Sequence, residues 1–426
     1  MDSVYSYIKD RVPTPFFSLL QQAGELAEGR HVRVYVVGGF VRDLLLGIPN
    51  LDLDMVVEGD GIRFAKALAQ RYQARVTTHD RFGTATITLA DGQTLDVATA
   101  RTESYDSPAA LPTVRRSSIK EDLRRRDFTI NTLAIRLNAD NPGELVDLHG
   151  GLRDLQNKTI RVLHGLSFID DPTRVFRAIR LEQRLGFQLD KDTAVLMTEA
   201  VKMELLHRLS PSRLSVELHH VLSEREPVKT LARLAGYNVL QFIHPRLKWS
   251  PELARLMKVV EKAVEWHAGV SLGPLASPWV VYGMALLDAL PQPAIQETLA
   301  RLTFPRRQTQ SLLRTSRENT HLLLTLDRTV KPSETFRALC NFPEETLMFL
   351  MAKTRSKRTK QKIVDMLTAY RRMKPILNGT DLKTMGFKPG PLYNRILERL
   401  LDARLDGTVE TETDERRLVQ QLAKQG

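Results

Sequence analysis

The chain reads as an α+β head followed by an all-helical arm, and three observations predict it. Up to about residue 160, short strand-like apolar runs alternate with helical ones. Beyond that point nearly every apolar spacing is helical. Across the whole length there is neither a fixed-period repeat nor a low-complexity tract.

In the head, VRVYVVGG (32–39) predicts a buried strand and FVRDLLLG (40–47) a short helix. LDLDMVVEG (51–59) predicts a strand and GIRFAKALAQRY (61–72) an amphipathic helix. ATITLADGQTLDVATA (85–100) predicts two strands around an Asp91-Gly92 turn. A polar, Pro-containing stretch follows, then RDFTINTLAIRL (126–137) and a last strand, ELVDL (144–148). In the arm, helices are predicted over 174–187, 212–224, 227–236, 251–267, 278–288, 293–301 and 345–353. Pro211, Pro227, Pro251 and Pro332 stand where helices start.

Composition narrows the function. The 426 residues are 42% hydrophobic and carry a formal charge of +12, which favours a polyanionic partner. Aromatics are only 6%, so recognition of bases mainly by ring stacking is disfavoured. No apolar run reaches transmembrane length, and a basic-then-apolar leader is lacking. A single cysteine, Cys340, excludes an internal disulfide and a cysteine zinc cluster, which fits a reducing cytoplasm.

The densest chemistry is Gly38-Gly39-Phe40-Val41-Arg42-Asp43, followed by Leu51-Asp52-Leu53-Asp54. On a strand, Asp52 and Asp54 project side by side while Leu51 and Leu53 turn to the core. Such a pair is repulsive unless a cation lies between, and oxygen-only ligation suits Mg²⁺. A bare pair of this kind is also common on an exposed strand face. A Gly-Gly turn between strand and helix, however, opens backbone N–H groups to a phosphate, and Arg42 is expected to reach the same phosphate. Asp96, in LDVATAR, is a third acid near the metals or a supporting group.

These motifs resemble those of class II nucleotidyltransferases, the family of bacterial tRNA nucleotidyltransferases and poly(A) polymerases. The resemblance covers roughly 32–222. It includes Arg125-Arg126-Asp127-Phe128-Thr129-Ile130-Asn131, Asp147 through Gly150-Gly151 to Asp154, Asp170-Asp171-Pro172-Thr173-Arg174 with Arg177 and Arg180, and Ser212-Arg213 with Glu217. It implies a polymerase-beta-like mixed-sheet head (31–158) after an N-terminal helical extension (1–30). An elongated helical neck with the base pocket (159–225), a body (226–365) and a tRNA-binding tail (366–426) follow. Two Mg²⁺ ions are implied on Asp52 and Asp54, with Asp96 catalytic. Gly38, Gly39, Arg42, Arg125, Arg126 and Asn131 are expected to bind the nucleotide, and Asp127 to accept from a ribose 2′-OH. Asp171 and Arg174, three apart on one helix, form either a surface ion pair or, as the family implies, an amino-acid template for the incoming base. Arg177, Arg180 and Arg213 are weaker candidates for that pocket. Asp170 stands where the family usually has Glu.

The expected reaction is transfer of AMP from ATP to tRNA ending in CC. Complete CCA addition with CTP and ATP is the alternative, and poly(A) synthesis or an inactive RNA-binding protein are more remote ones. VVEGDGIRFAKAL lacks the Gly-Arg-Arg-Phe-type signature of poly(A) polymerases, and 102–123 supplies the long loop that CC-adding members lack. VVGGFVRDLLLG-NLDLDMVVEGD and SFIDDPTRVFRAIRLEQRLGF look most like A-adding members, although the extra N-terminal modules frequent there are absent. KTRSKRTKQK (353–362) is a helix junction or a phosphate-contacting patch, and Lys388-Pro389-Gly390-Pro391 is expected to start a tail helix facing RNA. No membrane or protein partner is implied.

Overall fold

Residues 4–104, 107, 109, 112–270, 272–273, 275–388 and 390–425 are described by the computed structural model. The chain forms two units, Met1–Arg213 and Leu214–Gly426, and the division falls inside the stretch 159–225.

The first unit opens on α1 (Val4–Arg11) and α2 (Thr14–Glu28), followed by β1 (Arg33–Val37), α3 (Gly39–Leu46), β2 (Leu53–Glu58) and α4 (Gly61–Arg71). Then come β3 (Arg75–His79), β4 (Thr84–Thr88), β5 (Thr94–Thr99), β6 (Arg101–Ser104), β7 (Thr113–Arg116), α5 (Ile119–Arg124), β8 (Ala134–Arg136) and β9 (Leu145–Val146). Among the described residues a seven-stranded sheet runs β3-β4-β5-β2-β1-β8-β9. Its pairs are antiparallel except β2 with β5, which are parallel with Asp54 opposite Asp96. One face carries Tyr35, Val37, Val56 and Ala134, packed with Ile119 and Leu123 of α5. Alternate residues such as Leu53, Met55, Val57, Leu95 and Val97 are buried on the other face. There α4 packs on β2–β5 and α2 on β1, and Gly24 of α2 lets that helix ride on the Leu137 carbonyl where a Cβ has no room.

The stretch 102–123, expected as one long loop, is instead largely ordered. β6 and β7 form an antiparallel ribbon and α5 begins at Ile119. Residues 105, 106, 108, 110 and 111 at its tip lie outside the described residues. After α6 (Gly151–Gln156), a short parallel pair of β10 (Thr159–Ile160) and β11 (Gln188–Leu189) brackets α7 (Ser167–Asp170) and α8 (Thr173–Leu185). α9 (Lys191–Lys202) follows, and α10 (Pro211–Leu222) runs into the second unit.

The second unit is helical: α11 (Pro227–Gly236), α12 (Pro251–Gly269), α13 (Pro278–Leu287), α14 (Gln292–Arg301), α15 (Arg306–Arg328), α16 (Pro332–Leu339), α17 (Glu344–Lys353), α18 (Lys357–Thr368), α19 (Gly379–Thr384), α20 (Pro391–Leu405) and α21 (Glu412–Gln425). All four predicted proline starts are helix starts. α13 and α17 are apolar on every side and buried, as expected of central helices. The basic stretch 353–362 spans the break between α17 and α18 and most of the first turns of α18. In 388–391, Pro389 lies outside the described residues and Pro391 starts α20. The tail has its own apolar cluster of Leu377, Leu382, Ile396, Leu400 and Val419. No helix of the described residues is long and apolar enough to cross a membrane.

Candidate nucleotide-transfer site

The site grows from the turn between β1 and α3. Gly38 has φ 73°, a left-handed backbone that favours glycine. A Cβ there would stand 2.8 Å from Arg126 Nη1 and 3.8 Å from Asp54 Oδ2. Gly38 is therefore required twice, by its torsion and by the side chains that close over it. No side chain caps the start of α3, so its first N–H groups keep the character of an anion cradle.

Asp54 on β2 and Asp96 on β5 are register partners, which puts both carboxylates on one face. Asp52 precedes β2 and is exposed, its N–H donating to Asn50 Oδ1 at 2.8 Å. Because the strand begins only at Leu53, Leu51 is not turned to the core as expected but is 42% exposed. Burial pushes the Asp54 carboxyl up to about 6, Arg126 opposes the rise, and the Asp52 and Asp96 charges add to it. No donor among the described residues hydrogen-bonds Asp54. Asp96 accepts from Thr86 Oγ1 at 2.6 Å. Among the described residues no three His, Cys, Asp or Glu side chains could hold a metal by themselves. The donors that fit a hard cation are Asp52 and Asp54, an unneutralised carboxylate pair beside a phosphate cradle, with a nucleotide's phosphates completing the shell.

Arg42 lies at the Gly39 side of the turn, its Nη2 3.6 Å from where a Cβ would stand, rather than over Gly38. It is 4% exposed, with Nε donating to Asp43 at 2.7 Å and Nη1 to Asn131 Oδ1 at 2.8 Å. Arg126 takes that place: its Nη1 overhangs Gly38, and its Nε is buried without a partner. Arg125 is held by Asp122 at 2.7 Å and Glu103 at 2.9 Å, away from the turn.

Asp127 cannot accept from a ribose in this state. Its Oδ1 receives Phe128 N–H and Asn131 Nδ2, both at 2.9 Å, and its Oδ2 receives Arg177 Nε at 2.8 Å and Nη2 at 2.5 Å. The roughly four lone-pair sites of a carboxylate are thereby used. Burial works to raise this carboxyl, but the Arg177 charge, the Asn131 and Arg177 hydrogen bonds and the Arg174 charge hold it well below the usual carboxylate range.

Asp171 and Arg174 are not paired with each other among the described residues. Asp171 lies ahead of α8 with extended backbone, so the two do not share a helix face. Its Oδ1 accepts from Thr173 N at 2.9 Å and from Thr173 Oγ1 and Arg213 Nη2, each at 2.5 Å. Arg174 is 5% exposed and donates to Ser167 Oγ at 2.6 Å and the Arg125 carbonyl at 2.8 Å. Arg213 also donates to the Ala109 carbonyl at 2.9 Å, and Ala109 N–H donates to the Asp170 carbonyl at 3.3 Å. This described residue of the ribbon tip thus touches the Asp170–Asp171 corner. Arg180 is half-buried one turn beyond Arg177 on α8.

Two functional anchors escaped sequence reasoning. Asp122 is fully buried and binds both Arg125 and Arg126. Its spacing of three and four residues before them was the available signal. Ser167, also fully buried, holds Arg174 and carried no signal.

Comparison with known proteins agrees with this geometry. Residues 34–161 match the family model "Poly A polymerase head domain", and 186–250 match "Probable RNA and SrmB- binding site of polymerase A". The A-adding tRNA nucleotidyltransferase of Geobacter sulfurreducens is 45% identical over 97% of this chain, which spans about half (48%) of that relative's length. The A-adding tRNA nucleotidyltransferase of Halalkalibacterium halodurans is 32% identical over 97% of this chain and 94% of its own. The Thermotoga maritima CCA-adding enzyme, solved in complex with tRNA-CCA, superposes with a TM-score of 0.73 at 32% identity, covering 99% of this chain and 98% of that one. Matched at this level along nearly its full length, the chain belongs to the tRNA nucleotidyltransferase and poly(A) polymerase family.

Proposed function

We propose that the protein transfers AMP from ATP to the 3′-hydroxyl of tRNA ending in CC, without a nucleic-acid template. The observation that carries the chemistry is the face shared by Asp54 and Asp96, with Asp52 beside it and Arg126 closed over the Gly38 turn. The preference for A rests on likeness to two A-adding relatives across 97% of the chain.

In this reading the 3′-oxygen forms a bond to the α-phosphorus, the α–β bridging bond breaks, and pyrophosphate leaves. Asp52 and Asp54 would hold two Mg²⁺ ions, which would supply activation of the hydroxyl and neutralisation of the leaving phosphates. Asp96, exposed and in register with Asp54, faces the attacking hydroxyl and accepts its proton. Arg126 donates its spare Nη1–H to the triphosphate, alongside the first N–H groups of α3. Asp127 acts by fixing Arg177 at the nucleotide rather than by touching the ribose. Asp171 keeps its Oδ2 unbonded for a base edge. Arg174 reads a base only after leaving Ser167 and the Arg125 carbonyl. The tail and its Pro391 helix hold tRNA in the cytoplasm where the substrate occurs.

The deciding experiment supplies pure protein with labelled ATP or CTP and tRNAs lacking CC, ending in CC, or ending in CCA. One A added to the CC-ended tRNA, with little C added to the first, is the expected pattern. Efficient CC addition converts the reading to complete CCA synthesis, and long A tails on other RNAs convert it to poly(A) synthesis.

A further inference from the structure

The head contains a second cavity at the far end of the sheet from the carboxylates. Asp54 and Asp96 stand near the starts of β2 and β5, whereas this cavity is lined by Asp60, just past the end of β2, and Thr99, the end of β5. Along β5 the step from Asp96 to Thr99 is three residues, roughly 10 Å at the usual rise, and along β2 the step from Asp54 to Asp60 is longer. The cavity measures about 530 Å³ and is walled by the first turns of α4, the Asp80–Gly83 turn and the base of the β6–β7 ribbon.

Its charge is lopsided. Arg63, Lys66, Arg81, Arg101, Arg115 and Arg116 face the acids Asp60 and Asp80, and Glu103 backs Arg101, so the locality carries six minus three, or +3. Arg116 pairs with Asp60 at 3.0 Å, and Arg101 is fixed by Glu103 at 2.8 Å and by the Phe82 carbonyl at 2.6 Å. Arg63, Lys66, Arg81 and Arg115 are exposed and make no ion pair among the described residues. Arg101 and Arg116 are direct cross-strand partners, each already matched by an acid, Glu103 and Asp60, so the unanswered charge lies on the other cations of the wall. The half-buried Phe82 ring stands between the Arg81 and Arg101 guanidiniums, at 5.5 and 5.9 Å. The ring keeps water from that side, and the guanidiniums present planar forks suited to phosphate oxygens.

We propose that this cavity is a second anion site, built for a chain of two or more phosphates and separate from the transfer site. One carboxylate leaves most of the +3 unanswered, and a single phosphate cannot span it, whereas linked phosphates meet cations arriving from three elements. The phosphates come either from a free oligophosphate or from an RNA sugar–phosphate backbone, the latter resting on the proposed function.

The test uses the full chain and the double variant Arg63→Glu/Lys66→Glu, on the exposed side of α4. Calorimetric titration with tripolyphosphate is run in EDTA, so that metal-assisted binding at the carboxylates is silent. tRNA binding is measured in parallel across a salt series. Lys191→Glu/Lys202→Glu on α9 carries the same change in net charge as a control. A loss of about tenfold or more in tripolyphosphate affinity, with unaltered tRNA affinity, identifies a free oligophosphate site. Weakened tRNA binding, with the slope of log K against log salt shallower by about one to two, identifies the RNA backbone. Unchanged binding of both probes, or an equal loss in the α9 control, overturns the proposal. Thermal melts verify folding, and Arg63→Gln/Lys66→Gln replaces the first variant if it unfolds. Failure of the transfer assay on CC-ended tRNA sinks the proposed function while leaving the tripolyphosphate titration standing.

Discussion

The Asp171 carboxylate is bonded to Arg213, at 2.5 Å, and not to Arg174, three residues along the chain. The base-reading pair is thus held open by two separate anchors, Arg213 on one side and Ser167 with the Arg125 carbonyl on the other.

From that arrangement Arg174→Ala should lower selectivity for ATP over GTP and UTP more than it lowers tRNA affinity. A bidentate Arg–base contact carries about 1–3 kcal/mol of discrimination, so a loss of tenfold or more in the ratio of kcat/KM values is expected. Arg213→Ala should show a smaller loss of the same kind, since Thr173 still holds Asp171. Selectivity unchanged in both variants removes the pair from base reading.

Asp52→Ala and Asp54→Ala should each abolish transfer while tRNA binding survives, because the carboxylates face the nucleotide phosphates and the RNA is gripped elsewhere. Single-turnover assays beside filter binding separate the two effects. Near-normal turnover in either variant refutes the metal assignment.

Gly38→Ala should cost transfer far more than stability. The torsion, φ 73° with ψ −134°, is one that residues with a Cβ hardly adopt, and it costs about 1–3 kcal/mol. The new methyl also displaces the Arg126 guanidinium now 2.8 Å away. A drop in kcat of about a hundredfold or more, with a small shift in Tm, is expected if Arg126 is part of the charge-stabilising machinery. An active Gly38→Ala enzyme would show that the guanidinium has room to spare.

Asp127 predicts a pH signature. Its native carboxyl is held below the usual range, whereas in the unfolded chain it titrates near 4. Its contribution is therefore complete above about pH 4 and declines as the pH falls from there toward the native value. Arg177 is 45% exposed and is resolvated when its partner is lost, so Asp127→Asn should be destabilised by about 1–2 kcal/mol at pH 7 rather than by the cost of a fully buried pair. The gap to wild type should narrow below pH 4 in urea melts. A gap constant from pH 7 to pH 3 would mean that the charge is not what stabilises.

β1, β2, β4, β5 and β9 were legible as short apolar runs closed by glycine or a turn, whereas β3, with its Thr-rich RVTTH, and the three-residue β8 were not, and the prolines marked the helix starts of the arm. The pairing of Asp54 with Asp96 was anticipated as nearness but not as register, since register depends on strand order, which periodicity does not encode. The β6–β7 ribbon was missed because Arg101–Ser104 and Thr113–Arg116 are polar strands with no apolar face to announce them. α15 was missed for a related reason: its buried positions are few among many polar ones. The hydrogen-bond partners of Arg42 and Arg174 were not legible. These partners, Asn131 and the Arg125 carbonyl, lie 89 and 49 residues away, beyond any local pattern.

Asp122 touches no nucleotide in this scheme, yet both oxygens hold arginines of the RRD motif, and one also accepts the Arg101 N–H at 3.3 Å. A saturation screen scored only by growth would therefore rank this position beside the metal carboxylates and invite its assignment as a fourth catalytic acid. Soluble yield would expose the difference, since a keystone fails in the fold before it fails in the reaction. The same reasoning marks Asp122 as a poor place to seek specificity changes and a good one to seek temperature-sensitive alleles.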